Sequence, residues 1–415
     1  MKYPFPFPPT LRAGLALAIA AALLGAGGCK RPAAAKAKPA PPPAIQLADA
    51  DVAVAEKFGH ELAAAIKAND GKTVSSSCDF EALWTTIIQH LEAPKQFLTG
   101  AKQGFLNSIE KQPGGLFREA VGKDVRLMRV RQKAGESVLL LRVRHGDDGG
   151  ASYLDVFLTR QPDGTFRVRD FFNYALGEKL SDVMARLLAQ GLAAESQSPL
   201  EKILKGKNAA SGDFAKAMKA VLALREGRPA EMLSLSDALP DAVRKERFVQ
   251  FTRIQAAMAL NDEARYLKVL DEMAATFPND PSLAFILIDR HFLKKDYTKA
   301  ISTLELLIAD LGNDAFLSSL HATCLQELGR TDEAIGAISA GLKAEPGDSM
   351  LLWAQVGVLA QAKRFAEVVK VLDEILELHE AVADPDRAAE VGLTEFFASP
   401  EGKTYVARMK KLGNL

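Results

Sequence analysis

Residues 315–348 read AFLSSLHATCLQELGRTDEAIGAISAGLKAEPGD, and this stretch decides the fold because its pattern returns on both sides, from Arg247 to Val382. With Arg247, Pro281, Ala315 and Ser349 as first residues, four 34-residue units follow: 247–280, 281–314, 315–348 and 349–382. Their twentieth positions are Tyr266, Ala300, Ala334 and Val368, and their twenty-first are Leu267, Ile301, Ile335 and Val369. The twenty-fourth are Leu270, Leu304, Ile338 and Leu372, and the eighth are Ile254, Ile288, Ala322 and Val356. All are apolar or aromatic. No single helix needs so long a period; helical hairpins that bury one face against the next do.

In the quoted unit, Ala322, Leu325, Leu328-Gly329-Arg330, Glu333-Ala334-Ile335, Ile338 and Pro346 place a glycine to close the first helix and a proline after the second. In these residues the chain resembles the tetratricopeptide repeat. Gly341 and Gly312 depart from the family pattern, as does His291 at a usual aromatic position. The resemblance implies a superhelix over 198–415 whose concave groove is lined by first-helix positions, here Phe248, Phe251, Phe285, Phe292, Phe316 and Trp353. Such a row suits a peptide with apolar side chains. Equally, helical aromatics pack between repeats. The Lys and Asn set with which chaperone-binding repeats clamp a terminal carboxylate is missing. Upstream, 213–246 reads as a degenerate fifth unit with Gly227 at its turn, interrupted by Pro229 and Pro240. Downstream, Asp384-Pro385 breaks the helix, and 383–415, with Phe396-Phe397 and Tyr405-Val406, is expected to cap the last face.

At the other end, Lys2 and Arg12 precede an apolar run over 13–24, too short to span a bilayer and followed by small residues, which marks 1–28 as a signal peptide. Its end, Leu24-Gly25-Ala26-Gly27-Gly28-Cys29, resembles a bacterial lipoprotein lipobox with Ala26 where Leu is usual. That resemblance implies lipidation at Cys29 and a membrane anchor facing the periplasm. Lys30 stands where an aspartate holds enteric lipoproteins at the inner membrane, so the resemblance points to the outer one. Ordinary cleavage after a small residue, leaving a soluble periplasmic or secreted protein, is the alternative. Residues 29–47, rich in Pro, Ala and Lys and containing Pro41-Pro42-Pro43, cannot build a core and form a semi-rigid tether. Charge is balanced at +0 for the whole chain, with six basic residues and one acid in 1–50 and equal numbers in 51–200, so the helical half is acidic. Nothing basic enough to meet nucleic acid remains. Of the three cysteines, Cys78 and Cys324 are expected as buried free thiols.

Between tether and repeats, 48–191 is expected to be a separate domain. Helices are indicated over 52–68, after a cap at Asp79 through Leu83, Trp84, Ile87, Ile88 and Leu91, and over 96–110. Four strands follow, 125–132, 136–145, 152–160 and 165–172, separated by Ala134-Gly135, by 146–150 and by Pro162-Asp163-Gly164. A helix over 176–188 closes the domain. Element order and the phrase Ala68-Asn69-Asp70-Gly71-Lys72 resemble the cystatin-like cone of the nuclear-transport-factor-2-like superfamily, making the fold class α+β. Some such cones are enzymes with a buried Asp, His or Tyr. Asp155, Asp170, Tyr153, Tyr174, His90 and Asp79 are the corresponding candidates. Each has a plainer reading: Asp155 and Asp170 alternate with apolar residues as water-facing positions do, His90 sits on a helix, and Asp79 is a cap. The same alternation makes Arg142, Arg144, Arg167 and Arg169 a solvated face. No catalytic residue, cofactor or metal is therefore assigned: six scattered His lack ligand spacing, and the glycines of 146–150 lie in a hairpin rather than opening a helix. The chain reads as a protein- or peptide-binding scaffold, with a small-ligand-binding or weakly enzymatic cone as the alternative.

Overall fold

The computed structural model describes residues 47–89, 91–111, 115–117, 120, 123–133, 135–145, 150–195, 209–278 and 280–415. Cys29, the rest of 1–46, His90, and the expected domain junction at 191–198 from residue 196 on lie outside the described residues. The fold is α+β: a five-stranded sheet with helices, followed by helical repeats. The chain divides into two compact units, whose described residues fall within 47–145 with 151–286, and within 287–415 with Gly150. The first therefore contains the sheet together with the first repeat helices.

In the sheet-bearing unit, α1 (Asp49–Lys67) lays Ala55, Leu62 and Ile66 onto Leu139, Leu141, Leu154, Val156 and Leu158 of the sheet. It stops where Asn69 turns left-handed, and Asp70 then accepts from Thr73 N at 3.1 Å to start a short helix not foreseen above, α2 (Gly71–Ser76). Asp79 caps α3 (Phe80–Ile88) through Ala82 N at 2.9 Å, as expected. Helix α4 (Lys95–Lys111) packs Phe105 against Trp84 of α3, in one cluster with Met184 and Leu188 of α5 (Leu180–Glu195). The strands β1 (Asp124–Lys133), β2 (Glu136–His145), β3 (Gly150–Arg160), β4 (Phe166–Asn173) and β5 (Glu178–Lys179) lie in sequence order. The fifth was read as helix. Glu178 and Lys179 instead pair with Asn173 and Phe172, which delays the helix to Leu180.

The repeats are punctuated at the backbone. Left-handed residues stand at Gly227, Asn261, Lys295, Gly329 and Lys363, 34 apart, each between two helices. They separate α6 (Ala209–Arg225) from α7 (Pro229–Asp237), and, after the short α8 (Asp241–Arg244), α9 (Arg247–Ala259) from α10 (Glu263–Thr276). Next come α11 (Ala284–Leu293), which follows a 3-10 turn at Pro281–Leu283 and spans the unit boundary, and α12 (Tyr297–Leu311). The last pairs are α13 (Ala315–Glu327) with α14 (Thr331–Ala344), and α15 (Ser349–Gln361) with α16 (Phe365–His379). The degenerate unit 213–246 is thus a hairpin too, and its prolines do no harm: Pro229 sits in the first turn of α7 and Pro240 at the cap of α8.

Capping repeats as well. Asp314 and Asp348 accept from Leu317 N and Leu351 N at 2.9 and 3.1 Å to begin α13 and α15, and Asp280 accepts from Ser282 N at 2.9 Å to begin the 3-10 turn that leads into α11. Second helices begin either at Asp262 and Asp296, which accept from the backbone, or at Arg228, Arg330 and Arg364, which pair with Glu231, Glu333 and Glu367 three residues on. Inside the hairpins, Ile254, Ile288, Ala300, Ala334, Ile338, Val368 and Leu372 are fully buried. Finally α17 (Thr394–Ala398) and α18 (Pro400–Leu412) place Phe396, Tyr405 and Met409 in one cluster with Leu352, Val356 and Leu372, covering the last apolar face.

Candidate functional site

The aromatic row expected along a groove lies in the core. Phe248, Phe251, Phe285, Phe292 and Phe316 are at most 6% exposed, and Trp353 is half-buried against the Leu352 and Val356 cluster. Three of the buried five have aromatic partners. Phe248 joins Val183, Leu187 and Met218 and meets Phe214 edge-on at 6.3 Å. Phe285 meets Tyr153 edge-on at 5.6 Å, and Phe292 meets Tyr297 at 6.1 Å. These side chains hold helices together, and a partner has no access to the buried five.

On the sheet, Asp155 and Asp170, which the sequence leaves as either buried acids or water-facing positions, are buried, at 0% and 1% exposed. Asp155 accepts from Arg131 Nε at 2.9 Å and Nη2 at 2.6 Å, and from the Tyr174 hydroxyl at 2.9 Å. The bidentate guanidinium and the phenol tie β3 to β1 and to Tyr174 through charge-assisted hydrogen bonds. Lys133 Nζ also donates to the Tyr174 hydroxyl at 3.0 Å. Asp170 accepts from Ser181 Oγ at 2.5 Å and from the amides of Ser181 and Phe171 at 3.2 and 2.9 Å, tying β4 to the first turn of α5. Burial pushes its carboxyl up to about 6 despite those bonds. The solvated arginine face also needs correcting. Arg142 and Arg169 are buried, and Arg169 pairs with Glu136 and lies 5.5 Å from the Phe157 ring centre. Arg167 is exposed as expected and Arg144 half-buried, while Tyr153 is covered by Phe285.

An open surface of mixed chemistry occurs on the repeats. Helices α12, α13 and α14 enclose a cleft of about 410 Å³. Its apolar wall comes from Ile308 and Ala309 of α12, Leu325 of α13, and Ala337 and Ala340 of α14. At one end stand Glu305, Arg330 and Glu333, at the other Asn313 and Ser318, and His321 lies between them. Gly341 makes this geometry: a Cβ there would fall 2.6 Å from both Ser318 Cβ and Leu351 Cδ1, so only glycine lets α13 and α15 come so close to α14. Arg330 holds both oxygens of Glu333, at 2.7 and 2.6 Å. Burial holds the His321 imidazole below its ordinary range; Glu305 and Glu333 oppose that shift, and Arg330 adds to it. Beside Glu305, Leu306 is 70% exposed. Arg330, Glu333 and Gly341 were visible in sequence as repeat positions, but the cleft was not. It arises from small residues, Ala309, Ala337 and Ala340, facing one another across helices.

Among the described residues no group of three or more His, Cys, Asp or Glu is placed to hold a metal ion, and no helix is long and apolar enough to cross a membrane. Cys78 and Cys324 are free and buried, and burial pushes both thiols up to about 12.

No family model matches the sequence, and no curated protein does. Among solved structures, the chain is similar to MamA from Desulfovibrio magneticus RS-1, residue 41 to the end, at 17% identity over 40% of this chain and 95% of that one, with a TM-score of 0.36. It is similar to MamA AMB-1 at 20% identity, 40% and 98% coverage and a TM-score of 0.34. For the TPR2AB domain of yeast Sti1 in its pHSP90 complex the values are 15%, 55% and 97%, and 0.25. None of these likenesses bears on function. The repeat architecture stands on the chain's own 34-residue register of turns and caps: this is an α+β protein with tetratricopeptide-like helical repeats.

Proposed function

We propose that this protein is a scaffold of the bacterial cell envelope whose helical repeats hold a protein or peptide partner. The observation that carries this reading is the open cleft of α12, α13 and α14 with the exposed Leu306 beside it, on a fold whose sheet carboxylates Asp155 and Asp170 are engaged internally. Exposed apolar area rimmed by charge suits association more than catalysis. Asp155 and Asp170, the residues best suited to acid-base work by type, are engaged in ion pairing and capping. Lipidation of Cys29 anchors the chain, facing the periplasm from the outer membrane, and the tether 29–47 holds the folded part away from the bilayer.

A photo-reactive amino acid placed singly at Leu306 and Leu378 on the repeats, and at Val54 and Arg126 on the sheet-bearing unit, tests the scaffold in living cells. All four positions are exposed. Adducts to a protein from the repeat positions are expected. Adducts from Val54 or Arg126 alone would move the function to the sheet-bearing unit, and none anywhere would remove it. Cys29→Ala is expected to abolish fatty-acid labelling; persistent labelling would end the anchor reading.

A further inference from the structure

Resting on the reading that the repeats bind a partner, we propose that the cleft between α12, α13 and α14 takes an extended segment carrying an Arg or Lys whose cation sits beside Glu305. Its length fits: from Ser318 to Leu325 is seven residues of helix, roughly 10 Å at 1.5 Å each, the span of about three extended residues. Its wall fits too, since Ile308, Leu325 and Ala337 offer an apolar bed for the methylene stem of a long basic side chain.

Charge decides the sign. Glu333 is committed to Arg330 through both oxygens, whereas Glu305 is exposed and, with no hydrogen bond or salt bridge among the described residues, feels Arg330 and His321 only through their charge. Burial disfavours the His321 cation, and Arg330, which feels Glu305 as well, is itself held by Glu333. The surrounding residues 287–415 carry 20 Asp and Glu against 14 Lys and Arg, a net charge of −6, which draws in a basic segment and turns away an acidic one. At the far end, Asn313 Oδ1 accepts from Ser318 Oγ at 2.7 Å, which leaves the Asn313 amide nitrogen to donate to a backbone carbonyl of the segment. A basic side chain at one end and a carbonyl at the other set its direction.

The test titrates the full chain with the capped pentapeptide Ala-Leu-Arg-Leu-Ala and with its Gln and Glu counterparts, following the His321 ring signal by NMR. Six histidines make that signal separable, and its loss in His321→Gln assigns it. The Arg peptide is expected to shift it saturably, the Gln peptide about fivefold more weakly and the Glu peptide not at all. Glu305→Gln is expected to erase the Arg preference at unchanged melting temperature, and Ala337→Leu, which fills the cleft, to abolish binding. An equal response to all three peptides, a preference that survives Glu305→Gln, or no response to the Arg peptide would overturn the proposal. The scaffold reading fails separately: photo-adducts at Leu306 that persist in Glu305→Gln and Ala337→Leu would leave the scaffold and remove the cleft. Absence of any repeat adduct, with the Arg peptide still bound, would do the reverse.

Discussion

Lys295 and Lys363 hold the left-handed turn at φ 54° and 58°, where Gly227 and Gly329 do the same work in other repeats. A residue with a Cβ gives up roughly 1–2 kcal/mol in that conformation, and glycine returns about 0.4–1 of it through the freedom of the unfolded chain. Lys363→Gly is therefore expected to raise stability by about 0.5 kcal/mol and Gly329→Ala to lower it by about 1, both read from denaturant midpoints. The opposite order would show that the turn is not strained. Such positions explain what the sequence hid: glycine announces a left-handed residue, lysine does not, so two of the five turns could be placed only by counting 34 from a neighbour. Asp170 hid likewise, because alternation along β4 cannot tell water from the underside of a helix. Its carboxyl titrates near 6 in the fold and near 3.9 unfolded, so between those values the native state holds a proton that the unfolded chain has released. Stability from this group is greatest below about pH 4 and falls as pH rises to 6. Measured against the wild type, Asp170→Asn should gain by up to about 3 kcal/mol from pH 4 to pH 7. A constant difference would place the carboxyl's midpoint elsewhere.

At the scale of elements, the hairpins were legible because two independent signals agreed: apolar residues at fixed positions, and turn residues between them. Ala334 is such a position, 0% exposed on α14, and Gly341 sits two turns further along the same helix against Ser318 and Leu351. Ala334→Glu buries a charge with no partner and is expected to cost several kcal/mol; Gly341→Ala adds one methyl where α13 and α15 leave no space and costs about 1–3. Thermal melts of the full chain would give both in that order. A Gly341→Ala protein as stable as the wild type would mean that α14 shifts freely against its neighbours, and the cleft geometry would lose its basis. β5 was illegible for the converse reason. Two residues carry no period, and Glu178 and Lys179 become a strand only because β4 offers them an edge.

For the whole molecule, the sequence suggested a sheet domain and a repeat domain joined near 191–198, while compactness draws the line within α11. Composition shows where a linker resembles a linker, but it cannot show that helices on either side of it share a core. Here Val183 and Leu187 of α5 pack in one cluster with Ala217, Met218 and Val221 of α6 and Phe248 and Val249 of α9. Arg247 adds a polar lock, with Nε 3.1 Å from Glu178 and Nη1 donating to the Gly177 carbonyl and to Ser282 at 3.0 and 2.9 Å. Gly177 is left-handed, and a Cβ on it would strike the Ser282 carbonyl, so this junction admits no other residue. Cutting the chain at residue 198 strips the α6 and α9 faces of Val183 and Leu187, each worth about 1.5–3 kcal/mol when fully buried, and leaves Arg247 without Glu178. The fragment 198–415 should consequently bind a hydrophobic dye that the full chain does not, and its α6–α10 amides should exchange hydrogen much faster than they do in the full chain, while those of α13–α16 keep their protection. Equal protection of α6–α10 in fragment and full chain would mean that the sheet-bearing residues lend the first repeats nothing, and that the repeats form a domain in their own right.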